Sequence, residues 1–358
     1  MLGYTAVIID GTQIILSISA DSQLSGRYLS AAIVVYNSMK NKRFFITGGF
    51  GFIGSTLVRR LINDNEIMTY DNLFRNALGD DPATKHPNLT AVQGDVLDTQ
   101  KLEQAIRDYR PTHIVHCAAI AGIDTVVQKP VSTIDINVTG TANLLRAANE
   151  LNGLERVVLF STSEVFGTHA FQSSEITSAV IGAVGEARWT YAVSKLVCEH
   201  LGHAYFHQYG MPVTVVRPFN VYGPGQVGEG ALSTFIKRAL SSEDLIIHGD
   251  GSQIRAWCYV DDMVEGVYSV LQHPNAVGES FNIGNAKAVT TIYGLASTVI
   301  RLIGSRSNII FQEKTHADIE LRVPDVKKAR DLLDYEANID LEDGIPRTAV
   351  YYKEKLSL

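Results

Sequence analysis

Phe44-Phe45-Ile46-Thr47-Gly48-Gly49-Phe50-Gly51-Phe52-Ile53-Gly54 is the stretch on which the reading of the chain turns. Apolar and β-branched residues run into glycines at Gly48, Gly51 and Gly54, and Leu57, Val58, Leu61 and Ile62 then share one helical face. The pattern is strand, tight turn, helix. Missing side chains let backbone approach a diphosphate, and a helix N-terminus adds unbonded N–H groups and the positive end of a dipole. Glycine spacing alone is a common feature. Here Asp71 closes the next apolar run, Glu66-Ile67-Met68-Thr69-Tyr70-Asp71, at the separation of roughly 20 residues expected of a carboxylate that accepts from a ribose 2′-hydroxyl. That carboxylate would repel a 2′-phosphate, so the stretch predicts a dinucleotide site and favours NAD over NADP; Arg75 nearby softens the preference.

Working outward, strand and helix alternate. Strands are expected at 43–47, 66–70, 90–93, 112–116 and 156–161, and helices at 52–63, 99–108, 133–151 and 190–209. Such alternation predicts an α/β fold, a Rossmann-type doubly wound parallel sheet with helices on both faces. After about 210 the alternation loosens. Strands are expected at 213–217, 245–248 and 281–284, and helices at 235–240, 261–271 and 291–303. We read this part as a smaller C-terminal α/β substrate lobe that crosses back to the sheet. The expected division is an N-terminal appendage over 1–38, an NAD-binding domain over 39–212 and the substrate lobe over 213–358. Within the appendage, Thr5–Ile9 and Gln13–Ile18 flank Asp10-Gly11 as in a hairpin. No basic segment precedes an apolar core there, so it does not read as a signal peptide.

Composition bounds the rest. The chain has 358 residues, 46% apolar and 19% charged, which suits a globular protein with a large core. A net charge of −7 gives no reason to expect nucleic acid or an anionic membrane. No apolar run reaches the roughly 18 residues that span a bilayer. Cys117, Cys198 and Cys258 are odd in number and widely spaced, without metal-ligand spacing, so a reduced, cytoplasmic protein is the simplest reading.

The chemistry centres on Tyr191-Ala192-Val193-Ser194-Lys195. On a helix, residues i and i+4 share a face, so Tyr191 and Lys195 would meet the same cleft. A nearby cation lowers a phenol's pKa, and the tyrosinate would then serve as base. Ser161-Thr162-Ser163-Glu164 follows a strand, and strand carboxyl ends face the ligand crevice of open α/β sheets. Thr162 there would steer a substrate hydroxyl proton to Tyr191. Gly94-Asp95 and His116-Cys117-Ala118-Ala119 end two further strands, an acid within reach of an adenine and small residues against a cofactor.

Together these segments resemble the extended short-chain dehydrogenase/reductase family, the NAD-dependent nucleotide-sugar epimerases, dehydratases and decarboxylases. The resemblance covers about 42–355. It also includes Asn137-Val138-Thr139-Gly140-Thr141, Ser161-Thr162-Ser163-Glu164-Val165-Phe166-Gly167, Arg217-Pro218-Phe219-Asn220-Val221-Tyr222-Gly223-Pro224 and Gly249-Asp250-Gly251-Ser252-Gln253-Ile254-Arg255. It implies a tightly held NAD that oxidises the sugar at C4 through Tyr191, a 4-keto intermediate, and homodimers built through the helix carrying Tyr191. The implied cofactor contacts are Gly48, Gly51, Phe52, Ile53, Gly54, Asp71, Asn72, Asp95, Val96, Ala118, Ala119, Tyr191 and Lys195. The implied catalytic set is Thr162, Glu164, Tyr191 and Lys195, and Ser163, Asn220, Arg255 and Arg322 would bind the nucleotide sugar. Arg255 and Arg322 suit a diphosphate, because a guanidinium offers a charge-assisted fork. In a second reading Arg255 favours a C6 carboxylate.

The reaction itself stays open among three. A 4-ketone acidifies the C5 proton and labilises a C6 carboxylate. Glu164 stands where dehydrating and decarboxylating relatives carry an acid. Ser163 replaces the Asp that 4,6-dehydratases often place beside it. Arg188-Trp189-Thr190-Tyr191 and Gly251-Ser252-Gln253-Ile254-Arg255-Ala256-Trp257 are similar to UDP-glucuronate decarboxylases. Decarboxylation is therefore favoured over 4,6-dehydration and 4-epimerisation. A dinucleotide-binding sensor without catalysis is the alternative of another class; a lost Tyr or Lys would mark it, and both are present.

Overall fold

The computed structural model describes residues 39–168, 170–313 and 319–357, with the backbone of Thr5–Ile9, Thr12–Ser19 and Ser30–Tyr36. Its centre is a parallel sheet of seven strands: β1 (Arg43–Thr47), β2 (Glu66–Asp71), β3 (Leu89–Gln93), β4 (His113–His116), β5 (Arg156–Phe160), β6 (Val213–Pro218) and β7 (Ser280–Ile283). Their spatial order is β7-β6-β5-β4-β1-β2-β3, so the chain reverses direction across the sheet between β1 and β4. Strands such as β4 and β5 are buried along their whole length, as parallel strands covered on both faces must be.

The covering helices are α1 (Phe52–Leu61), α2 (Thr99–Tyr109), α3 (Gly140–Asn149), α4 (Thr190–Tyr209) and α5 (Val260–Gln272). Side chains alternate across β1. Phe44 and Ile46 pack with Leu57, Val58 and Leu61 of α1 and Met263, Val264 and Val267 of α5. Phe45 packs on the other face with Leu102 and Ile106 of α2 and Leu144 and Leu145 of α3. Each such burial stabilises by about 1.5–3 kcal/mol, which makes these two layers the main support of the sheet. The helix expected at 133–151 is instead three joined pieces. Pro130–Ile134 runs into a π-helical turn at Asp135–Thr139 before α3 begins. A π turn shifts the face that side chains present, and it lets buried Asn137 bridge Ile120 and Ser194.

A second sheet takes Val289–Thr291, Ile254–Ala256, Leu321–Pro324 and Ala170–Ser173, in that order. It brings Arg255 and Arg322 side by side in register. These strands have three or four residues each, too few to show an alternation, and most were not expected from sequence. Toward the N-terminus, Thr5–Ile9 pairs antiparallel with Thr12–Ser19, as the hairpin reading requires, and Ser30–Tyr36 pairs with the second strand. The Asp10-Gly11 turn lies outside the described residues.

Two glycines let the turn after β1 close. Gly48 has φ +68°, and a Cβ there would lie 2.7 Å from the Ala118 nitrogen. At Gly54 a Cβ would lie 2.2 Å from the Gly48 carbonyl oxygen. Backbone cannot yield as a flexible side chain does, so Gly54→Ala is expected to cost about 1–3 kcal/mol, read as a lowered denaturant midpoint with an unchanged slope.

Two imidazoles are buried in β4. His116 sits between Thr47 and Thr141, 2.6 Å from Thr47 Oγ1 and 3.0 Å from Thr141 Oγ1. His113 lies against Phe44, and burial pushes both histidines down to about 3. A depressed folded pKa contributes stability that is complete above the unfolded imidazole range and lost as pH falls towards the folded value. Unfolding free energy should therefore drop below about pH 6 by up to about 1.4 kcal/mol per pH unit for each histidine. His113→Gln should remove one histidine's share of that slope in denaturant titrations repeated across pH.

Candidate active site

A cavity of about 630 Å³ opens at the carboxyl ends of β1, β4 and β5, beside the point where the strand order reverses. Open α/β sheets bind ligands at this position. Gly48, Gly51, Phe52, Ile53 and Gly54 form one wall, and Cys117, Ala118 and Ala119 face them from the end of β4. Gly51 caps α1 without a side-chain hydrogen bond, which leaves the first N–H groups of the helix for an anion. Asp71 closes this end. Its carboxylate accepts from the N–H groups of Leu73 at 2.7 Å and Phe50 at 2.9 Å. Burial pushes the Asp71 carboxyl up, and those two bonds oppose the shift. Asn72, Asp95 and Val96 line the cavity next to it. A glycine cradle, an uncapped helix and a terminal carboxylate fit a dinucleotide with a free ribose 2′-hydroxyl.

Thr162, Ser163, Glu164, Tyr191 and Lys195 line the other end. Thr162 is the N-cap of a 3-10 turn, Ser163–Phe166, that follows β5 directly; its hydroxyl accepts from the Glu164 N–H at 3.2 Å. Tyr191 and Lys195 project from the first turns of α4. The electrostatics differ from the expectation. Lys195 is buried and donates to the Phe160 carbonyl at 2.7 Å. Burial, followed by the Glu164 charge, pushes the Tyr191 phenol above its ordinary range; the neighbouring Thr162 hydroxyl and the Arg322 charge pull the other way. Burial lowers Lys195. Desolvation thus outweighs the expected tuning of phenol by ammonium.

Glu164 is gripped from both sides. Arg188 Nη1 donates to one carboxylate oxygen at 2.6 Å, and Arg322 Nη1 stands 3.5 Å from the other. Arg322 lines the cavity, and its buried Nε has no partner; Arg188 has two such nitrogens, Nε and Nη2. Asn220 also lines the cavity, in a left-handed conformation with φ 36°, and its amide donates to the Ala256 carbonyl at 2.7 Å. Arg255 is the one expected site residue that the cavity wall does not include. It is buried in the second sheet, where Nη1 donates to the carbonyls of Ile254 at 2.9 Å and Glu320 at 3.3 Å.

Sequence reasoning assigned nothing to Glu229, yet it spans the mouth. Its carboxylate accepts from the N–H groups of Asp124 and Thr125, both at 2.9 Å, and from the Thr125 hydroxyl at 2.6 Å. Arg75 lies beneath the same strap and donates to the Ala121 carbonyl at 3.0 Å. The flanking Gly228 and Gly230 were the available signal, since a polar residue between glycines marks a sharp bend.

Known proteins agree with this geometry. The sequence model of the NAD dependent epimerase/dehydratase family matches residues 44–284. The chain is 34% identical over 327 residues to the UDP-N-acetyl-alpha-D-glucosaminuronate decarboxylase of Bacillus cytotoxicus, covering 87% of this chain and 98% of that one. It is 34% identical to UDP-glucuronic acid decarboxylase 5 of Arabidopsis thaliana, covering 92% and 95%. The solved UDP-glucuronic acid 4-epimerase of Bacillus cereus, in complex with UDP-glucuronic acid and NAD, matches with a TM-score of 0.80 at 28% identity, covering 87% and 99%. With the glycine cradle, the acid that ends β2 and the Tyr-Lys helix in place, the chain belongs to the NAD dependent epimerase/dehydratase family and is an NAD-dependent enzyme of the nucleotide-sugar epimerase, dehydratase and decarboxylase group.

Proposed function

We propose that this enzyme decarboxylates a UDP-uronic acid through a 4-keto sugar. The observation that carries the reading is Arg322, in the cavity wall beside Glu164 with guanidinium donors to spare. Two arginines face one carboxylate there, which leaves the sugar end with a surplus positive charge that an uncharged hexose would not satisfy. A C6 carboxylate would, and the looser 3.5 Å contact is the one it would replace.

In this reading NAD, when bound, supplies the two-electron acceptor for C4 and the positive charge of its oxidised ring. Tyr191, as the phenolate, takes the proton of the C4 hydroxyl and becomes the neutral phenol, with Thr162 beside it in the cavity wall. The ketone formed makes the sugar a β-keto acid. The C5–C6 bond breaks, its electrons pass to the C4 ketone as an enolate, and the carboxylate leaves as carbon dioxide. C5 is then protonated and C4 is reduced back, so no net oxidation remains. Ser163 in place of an acid speaks against loss of a C6 hydroxyl, which needs a proton donor at that position.

Asn220 and Arg322 are the substrate contacts this reading uses, within a lobe over 213–358 that crosses back to the central sheet through β6, α5 and β7; residues 39–212 hold NAD and 1–38 are an appendage. Exposed Val193 and Val197 on α4, with Val131 and Ile134 close by in sequence to α3, support pairing of two copies through α4. Three free cysteines support a reducing, cytoplasmic setting.

Incubation with UDP-glucuronate and NAD should release carbon dioxide and yield a UDP-pentose; a 4-keto-6-deoxy product or a C4 epimer would replace this reading with one of its two rivals. Glu164→Gln should abolish carbon dioxide release yet spare any epimerisation. Tyr191→Phe should cost about a thousandfold in kcat, within the range of positioned acid–base catalysis. Glu229→Ala, which frees the strap, should speed cofactor release about tenfold, the equivalent of one hydrogen bond to a charged group, in stopped-flow displacement.

A further inference from the structure

Two consecutive residues at the end of β5 are tied to α4, and a third faces it. The Phe160 carbonyl accepts from Lys195. The Ser161 hydroxyl donates to Glu199. Thr162 lines the cavity together with Tyr191. On the helix Tyr191, Lys195 and Glu199 fall one residue per turn along a single face. Phe160, Lys195, Thr162 and Tyr191 belong to the site already described. The Ser161 tie ends on a carboxylate that does not line the cavity.

Glu199 is buried and is itself held rigidly. Arg217 from β6 donates to it twice, from Nε at 2.9 Å and from Nη2 at 2.6 Å. The third arm of the guanidinium donates to the Glu175 carbonyl at 3.1 Å, and its plane lies 5.0 Å from the centre of the Phe166 ring. A two-bonded guanidinium–carboxylate pair fixes position and angle as well as charge. A buried pair of this kind is a weak source of stability, so its geometric effect is the more telling one. Ser161 is the residue through which that fixed point reaches the strand end.

We propose that Glu199, anchored by Arg217, is a positioning residue. Through Ser161 it sets the register of the strand end against α4, so that Thr162 meets the Tyr191 phenol. This rests on the catalytic reading of Tyr191 and Thr162. It assigns Glu199 no contact with substrate or cofactor. Misplacement of a catalytic group by about an ångström is enough to cost one to two powers of ten in rate, so a single hydroxyl is a sufficient lever.

Removing Glu199 would strand a buried guanidinium, and such a variant can fail to fold. Ser161→Ala is the sharper test, because the Glu199–Arg217 pair survives it; Ser161→Thr restores the hydroxyl. Kinetics with NAD and UDP-glucuronate and crystal structures of all three proteins provide the readouts. Ser161→Ala should lower kcat roughly tenfold with KM within about twofold, and its structure should show the Thr162 hydroxyl displaced by about an ångström relative to the Tyr191 phenol. Ser161→Thr should recover both. Folded Ser161→Ala with unchanged kcat, a change confined to KM, a lowered kcat with Thr162 undisplaced relative to Tyr191, or no recovery in Ser161→Thr would each overturn the proposal. If the unaltered enzyme turns over no nucleotide sugar, the functional reading fails by itself, and the Thr162–Tyr191 spacing in the Ser161→Ala structure alone decides the positioning role: changed, it stands; unchanged, it falls.

Discussion

Keeping ionisable groups away from water at the carboxyl edge of the sheet is the constraint to which the rest of this structure answers. Tyr191, Lys195, Glu199, Arg217, Arg188 and Arg322 all cluster near the ends of β5 and β6, and five of them are among the buried polar residues. An isolated charge in such a place is costly unless it is paired and hydrogen-bonded. The fold meets this by interleaving signs. Lys195 finds a carbonyl and the field of Glu199, Glu199 finds Arg217 and Ser161, and Glu164 finds two arginines. Dryness also strengthens each remaining interaction, which is useful where a proton is to move.

The same constraint explains why Tyr191 is raised in the protein alone. Burial dominates, and the nearest anion, Glu164, adds to it. The positive charge that would reverse the balance is not among its side-chain neighbours, since Lys195 is turned to the Phe160 carbonyl. A phenol of this kind stays protonated until a cation arrives beside it. Oxidised NAD would bring one, and in the proposed reaction this would tie the readiness of the base to the presence of the oxidant. Glu229 gives that arrangement a mechanical counterpart. It is exposed, and its three hydrogen bonds join the turn at 228–230 to Asp124 and to Thr125 at the cavity wall.

Much of this was legible in the residues. The turn from Gly48 to Gly54, the acid at 71 and the spacing of Tyr191 and Lys195 are local patterns, and helix α4 runs over the very span expected of it. Five strands of the central sheet follow from alternation, because a buried parallel strand needs a crossover helix; β6 and β7 fall where the alternation loosens, and the structure adds them to the same sheet. What was not legible depends on contacts far apart in sequence. The strap at Glu229 closes on residues more than a hundred positions earlier, and the second sheet joins segments at 170 and 321 that are too short to carry a period. The π turn at 135–139 hides inside an unbroken helical pattern, since the amphipathic signal does not distinguish a helix from one with an extra residue inserted.

Arg255 and Arg322 show the limit most clearly. Both sit in strands of one sheet, paired in register, and chemistry alone gives them equal claim to an anion. Geometry separates them. Adjacent strands of a pleated sheet direct registered side chains to the same face, yet the Arg255 guanidinium is drawn back to the carbonyls of Ile254 and Glu320, while Arg322 reaches Glu164. An arginine whose donors are taken up by carbonyls holds a loop. One that faces a carboxylate across 3.5 Å, with a buried Nε unpartnered, has donors left for a second anion. Residue type admits both roles, and only the surrounding acceptors decide which arginine keeps donors for a further anion.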